Sequence, residues 1–215
     1  MTNVTRQQEQ SPSSKIITAE WCDRPSVQVA PDLIGCTLAR QMADGSIIDA
    51  VIVETEAYAP ADPACHAYRG PSKRNAAMFG PPGHSYVYLI YGLYHCLNVV
   101  TEPVGIGSAV LIRALALNTV PPALDPKYTP KPHRIAAGPG KLCRTLNIDR
   151  QLDGLPYHPD SGLWLAHRQT PLAATDIVQT TRIGISQAVE KPWRWYLKGS
   201  PAVSKKATKT AVSNA

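Results

Sequence analysis

The chain has 215 residues, 44% of them apolar and 18% charged, with 22 Lys and Arg against 16 Asp and Glu for a formal net charge of +6. That much apolar side chain builds one core and excludes a disordered polymer, and the length sets one domain as the starting point. The cationic excess suits a polyanion, either nucleic acid or an anionic surface, while the lack of a long apolar run and of a secretory leader points to a soluble, intracellular chain with no membrane span.

Residues 1–14, rich in Gln, Ser and Thr, read as a disordered leader, 15–203 as one folded domain, and 204–215 as a disordered basic tail. Ala43-Asp44-Gly45-Ser46 is a turn joining Thr37–Gln41 to the long run Ile47–Tyr58, which predicts a hairpin. Ser85–Ile90 is aromatic and β-branched. Tyr91-Gly92 follows as its turn, and Tyr94–Thr101 as the return strand. Ser108–Leu115 reads as a further buried strand. The proline-rich stretch 119–133 is a loop. Gly138-Pro139-Gly140 opens a short helical pattern, Lys141–Leu146. Strands are expected at Leu163–Ala166, Ile177–Ile185 and Trp195–Lys198. Clustered strands and short helices predict an α+β domain with a curved, mostly antiparallel sheet.

Several residues in this frame suit chemistry. Glu54, Glu56 and Tyr58 fall on one strand face by period-2 alternation, and two carboxylates so placed are either a solvated face or a costly functional pair. Spacing leaves the two glutamates equivalent. His66 lies in a loop bounded by Gly and Pro, followed by a cationic run that includes Arg69, Lys73 and Arg74, the composition of a phosphate-contacting loop or of an ordinary solvated one. Four of the nine tyrosines fall between Tyr86 and Tyr94. Tyr86 and Tyr88 share a face, and Tyr91 projects from the predicted turn. Such rings serve either as cross-strand packing or as base-stacking and wedging groups. Asn98 and Arg113 interrupt apolar strands and need hydrogen-bond partners if buried. Lys141, at a helix start after Gly140, suits a phosphate.

A metal site is not expected. The five cysteines include no CxxC, and in Cys65-His66 and His95-Cys96 adjacent strand positions face opposite ways. Paired deaminase cysteines, a phosphate-binding P-loop and a dinucleotide fingerprint are all missing.

Taken in order, Ala30-Pro31-Asp32-Leu33-Ile34-Gly35, Val53-Glu54-Thr55-Glu56-Ala57-Tyr58, His66, Arg74-Asn75 with Met78-Phe79, Tyr86 to Gly92, Asn98, Leu111 to Leu115, Gly138 to Cys143 and Lys198-Gly199-Ser200-Pro201 resemble the alkyladenine (3-methyladenine) DNA glycosylases of the mammalian type. The resemblance implies a base-excision repair enzyme that flips alkylated, and in some cases deaminated, purines from duplex DNA and hydrolyses the glycosidic bond. The other readings are a non-catalytic damage-binding protein with the same pocket and a nucleoside or RNA N-glycosidase. The family pattern makes Glu56 the general base, with Arg113 supporting the attacking water. Tyr58, His66 and Tyr88 would stack on the base, Asn98 and Leu111 would shape the selectivity wall, and the Ala64 carbonyl would read the base edge. Tyr91, with Met78, would intercalate, while Arg69, Lys73, Arg74 and Lys141 would hold phosphates. No cofactor is implied. The expected partner is double-stranded DNA with damaged purines, met by a monomer in the bacterial cytoplasm or the eukaryotic nucleus.

Overall fold

A computed structural model describes residues 15–121, 124, 127 and 131–207; the leader 1–14 and the end of the tail lie outside these. The spine is β2 (Ile47–Tyr58). Along one edge, β1 (Thr37–Gln41) pairs with its first half, from Gln41 opposite Ile47 to Thr37 opposite Val51. Further along the same edge β8 (Arg194–Leu197) takes over, with Glu54 opposite Tyr196 and Glu56 opposite Arg194. The other edge of β2 carries β5 (Ala109–Leu117), from Ala50 to Tyr58. Beyond β5 come β4 (Tyr94–Val100) and β3 (Ser85–Ile90). Beyond β1 comes β6 (Leu163–Ala166), and β7 (Ile177–Thr180) flanks β8. Every pairing is antiparallel. The expected α+β architecture, a curled antiparallel sheet with few short helices, is what forms.

Among the described residues three α-helices cover one face: α1 (Ala19–Cys22), α2 (Ser26–Asp32) and α3 (Pro139–Thr145). The first two are absent from the sequence-based expectation. Val27, Val29 and Pro31 weaken the helical signal of α2, but Val29, Ala30, Leu33 and Ile34 are wholly buried against the sheet, and packing overrides propensity. The main core joins Ile48, Ala50 and Ile52 of β2 to Val110, Ile112 and Leu115 of β5 and to Leu142, Cys143 and Leu146 from the α3 segment.

The two central strands then exchange faces. On β2 the even residues 48, 50 and 52 point into the main core. Further along, Ala57 does so, and the Thr55 hydroxyl donates to the Ala30 carbonyl of α2 at 2.8 Å. On β5 the core residues are Val110 and Ile112, and then Leu115. Both changes of phase fall where the β2–β5 register is irregular, around Glu54 and Ala114. Val53 and Ala114 pack together with Ala202 in a small cluster on the opposite side. The irregularity thus turns Glu54, Glu56 and Arg113 away from the main core.

Two expected boundaries move. The strand predicted over Ile177–Ile185 ends at Thr180, because Arg182 turns its side chain inward and the Ile183 N–H is taken by Glu56. The tail expected from residue 204 does not begin there either. Ser204 N–H donates to Glu54, the Lys205 carbonyl accepts from Arg194, and Arg134 Nη2 donates to the Ser204 carbonyl. Within 119–133, Pro132 and His133 belong to the short 3-10 turn Pro132–Arg134, and Lys127 also has 3-10 geometry.

Gly107, just before β5, makes room for the loop that carries His66. A Cβ there would lie 2.3 Å from the Ala67 Cβ and 2.8 Å from the Phe79 ring. Gly107→Ala should therefore destabilise the fold by about 1–3 kcal/mol. In urea unfolding this would appear as a lower midpoint at unchanged slope.

Candidate active site

The curl of the sheet leaves a cavity of about 640 Å³ on the face opposite the main core. Its floor comes from the strands: Tyr58 of β2, Tyr86 and Tyr88 of β3, Asn98 of β4, and Leu111 and Arg113 of β5. Three loops close it. Ala64 and His66 stand on one side, the start of α3 with Lys141 on another, and Ile183 to Gln187 on the third. This volume and its aromatic lining suit one planar organic ligand.

Glu56 lies directly beneath the floor and is fully buried. Its Oε2 accepts from the Tyr58 hydroxyl at 2.8 Å and from Arg113 Nη1 at 3.2 Å, and its Oε1 accepts from the Ile183 N–H at 2.8 Å. All three donors line the cavity. Glu54 is equally buried but faces elsewhere. Arg113 Nε (3.3 Å), Arg194 Nη1 (2.9 Å) and the Ser204 N–H (2.6 Å) hold it, and of these only Arg113 reaches the cavity. Geometry thus separates two residues that spacing left equivalent. Burial, then the neighbouring Glu56 carboxylate, pushes the Tyr58 hydroxyl well above its usual range, so it remains a donor. For Arg113 burial works against the charge, but Glu56 and then Glu54 outweigh it and the guanidinium stays ionised.

The opposite wall is aromatic. His66 meets Tyr88 edge-on, with ring centroids 4.6 Å apart and planes at 72°, and its Nδ1 lies 2.9 Å from the Tyr86 hydroxyl. Tyr86 and Tyr88 lean together at 5.4 Å. Burial, and then Arg74, lower the pKa of His66 from 6.5, so the imidazole is neutral at pH 7. Asn75 fixes the His66 loop by donating to the His66 and Gly70 carbonyls. Asn98 donates to the Tyr86 carbonyl at 2.8 Å, which turns its amide oxygen to other uses.

At the mouth stands Tyr91, 85% exposed and at φ 53°, followed by Gly92 at φ 66°. A large side chain in the left-handed region is strained, and here the strained residue is an exposed aromatic at the tip of a turn. Met78, expected beside Tyr91 as an intercalating residue, is 2% exposed, packs with Cys65, Ala67 and Tyr86 under the His66 loop, and lines the cavity. Arg69, Lys73 and Arg74 are exposed on the loop beyond His66 and lie outside the cavity, whereas Lys141 sits on its rim.

Sequence reasoning missed Asp62 and Arg182. Both oxygens of Asp62 accept from Arg182, which also donates to the Ala57 carbonyl at 3.0 Å and lies 4.8 Å over the Tyr58 ring. Asp62 further accepts from the Ala64 N–H at 3.3 Å. The pair therefore ties together Tyr58, the Ala64 turn and the segment bearing Ile183. An arginine within an apolar β-rich stretch, as at Arg113, was the available signal, but its partner lies 120 residues away in sequence.

The sequence that builds this site has relatives. A family model described as methylpurine-DNA glycosylase matches residues 20–201. The chain belongs to that family. A protein of Trichodesmium erythraeum provisionally named 3-methyladenine DNA glycosylase is 55% identical over 199 residues, 90% of this chain and 99% of the relative. One of Synechococcus sp. with the same name is 56% identical over 189 residues, 86% and 97% of the two chains. A third, from Methanocella arvoryzae, is 46% identical over 199 residues, 89% and 97%. The family match spans β1 to β8, and so takes in every strand of this methylpurine-DNA glycosylase fold.

The buried Asp62–Arg182 pair yields a stability prediction. Asp62→Ala strands a guanidinium whose side chain is 0% exposed. The expected loss is about 3–5 kcal/mol in equilibrium unfolding. A loss below about 1 kcal/mol, the value of a surface pair, would show that the pair holds nothing in place.

Proposed function

We propose that the chain is a monofunctional DNA repair glycosylase that flips an alkylated purine out of duplex DNA into the cavity and hydrolyses its bond to the sugar. One observation carries the reading: a fully buried carboxylate, Glu56, whose every donor lines an aromatic cavity at the foot of an exposed, strained Tyr91. A flat base fits between the Tyr58 side and the His66–Tyr88 side, with Asn98 and Leu111 bounding its edge and the Ala64 carbonyl within the rim. Tyr91 then fills the gap the base leaves in the stack. Arg69, Lys73, Arg74 and Lys141 provide cations for the phosphates. All these groups come from one chain, so a monomer suffices, acting on genomic DNA in the cytoplasm of a cell without a nucleus.

The chemistry follows from charge. A purine alkylated at N3 or N7 is cationic and departs readily, and electron-rich rings favour its binding. As the glycosidic bond stretches, the sugar becomes oxocarbenium-like. Glu56, held ready by Tyr58, Arg113 and the Ile183 amide, faces that developing charge and accepts a proton from the attacking water. The base leaves with the bonding electrons, water supplies hydroxyl to C1′, and an abasic site remains. Among the described residues no lysine donates to Glu56, and the proposed route is hydrolysis without a Schiff base.

Two outcomes test this. In Glu56→Gln, single-turnover release of bases from an alkylated duplex should fall about 10²–10⁴-fold while binding of the duplex persists. Undiminished release would remove Glu56 from the chemistry, and a wild-type chain that binds damaged duplex without releasing any base would leave a damage-binding protein. Tyr91→Ala should weaken release from duplex far more than from single strands, because only a stacked duplex has a gap to fill. Borohydride trapping of a covalent DNA adduct would overturn the hydrolytic route.

A further inference from the structure

Arg113 divides one guanidinium between two carboxylates. Its Nε edge goes to Glu54 at 3.3 Å and its Nη1 to Glu56 at 3.2 Å. Glu54 in turn has a second cation, Arg194 at 2.9 Å, so four buried charges alternate in a row: Arg194, Glu54, Arg113, Glu56. Arg194 pairs opposite Glu56 in the β2–β8 ladder, yet its guanidinium goes to Glu54. The C-terminal segment locks the row from outside. Ser204 N–H donates to Glu54 Oε2 at 2.6 Å, and the Lys205 carbonyl accepts from Arg194 at 2.8 Å.

We propose that Glu54 is a positioning residue for the reaction: it holds Arg113 by its Nε edge so that Nη1 stays on Glu56, and its charge, countered by Arg194, sets how firmly Glu56 keeps a proton. The inference rests on the glycosylase reading above. A glutamate needed only to clasp the C-terminal segment would not have to touch a cavity residue, but this one does. The other charged or titratable groups around Glu56 are Tyr58 on the same strand, Arg113 on β5, Cys96 on β4, and Arg182 with its partner Asp62. Only Glu54 and Arg194 reach Glu56 through Arg113, so charge changes at those two sites must act in opposite directions. Removing Glu54's charge leaves Arg113 undivided for Glu56, which then releases its proton more readily and becomes a weaker base. Removing Arg194's charge draws Arg113 toward Glu54, and Glu56 keeps its proton longer.

The test is the pH profile of single-turnover base release from an alkylated duplex by the full chain, with urea unfolding to confirm that each variant is folded. Glu54→Gln should move the acidic limb to lower pH by roughly one unit, and Arg194→Gln should move it up by a similar amount, as expected for a charge acting over a few ångströms. Arg194→Lys, which keeps the charge, should leave the limb in place. The Glu54→Gln plateau should also fall, about tenfold, as the base weakens. Limbs that stay put in both folded variants, or that move in the same direction, overturn the proposal and leave Glu54 a clasp. If Glu54→Gln does not fold, the contrast between Arg194→Gln and Arg194→Lys decides alone. A wild-type chain that releases no base would fail the glycosylase reading instead, which separates the two.

Discussion

Two carboxylates two residues apart on one strand, neither exposed to water, stand together because Arg113 is shared between them. Burying a single ion costs several kcal/mol even after relaxation, and attraction offsets this only when the remaining polar atoms are satisfied. Here they are. Each glutamate receives three donors, and charges alternate along the row from Arg194 to Glu56. Much of the outer fold serves that requirement. The strand of residues 177–180 breaks off so that Ile183 can donate, β8 brings Arg194, and the chain beyond β8 returns to place the Ser204 amide.

The same network gives the cavity a rigid floor. Tyr58 is gripped on three sides: its hydroxyl by Glu56, one ring face by Arg182, and its backbone carbonyl by the Ser108 hydroxyl at 3.5 Å. The opposite wall is gripped less by charge than by packing. His66 rests on Tyr86 and Tyr88, and Met78 fills the space beneath them. A site built this way pays little to reorganise during a reaction, which is where preorganised groups gain their advantage. The contrast with Tyr91 is informative. It is the one exposed aromatic at positive φ among the described residues, held in place by a three-residue turn and not by burial.

Much of this was legible locally. The hairpin of β1 and β2 showed in its turn residues, and the β3–β4 pair in its alternating aromatics. Tyr58, His66, Tyr88, Asn98, Leu111 and Arg113 do converge on one cavity. What was not legible depends on long-range partners. Spacing could not separate Glu54 from Glu56, because the difference lies in who donates to them, and those donors sit up to 150 residues away. Asp62 and Arg182 escaped notice for the same reason. Met78 lines the cavity at 2% exposure, a depth that local sequence does not convey. Ser204 and Lys205 read as tail because their role is played by backbone groups, which carry no side-chain signal.

One further clue did lie in the sequence and concerns the sheet itself. Along β2 the apolar residues Ile48, Ala50 and Ile52 set an even phase, and Glu54 and Glu56 continue it. Taken literally, alternation would drive both carboxylates into the helix-covered core, where Leu33, Ile34 and Leu142 offer no donor. A strand cannot satisfy both constraints without changing phase between residues 52 and 55. Its neighbour must change phase at the same level or lose its own core residues, and β5 does so between Arg113 and Ala114. The charged pattern therefore required a paired irregularity, and the irregularity put glutamate and arginine on the same side. The bend in the sheet and the charged site beneath the cavity are one feature, and a substitution that restored regular pairing there would send the carboxylates into the core and take the site with them.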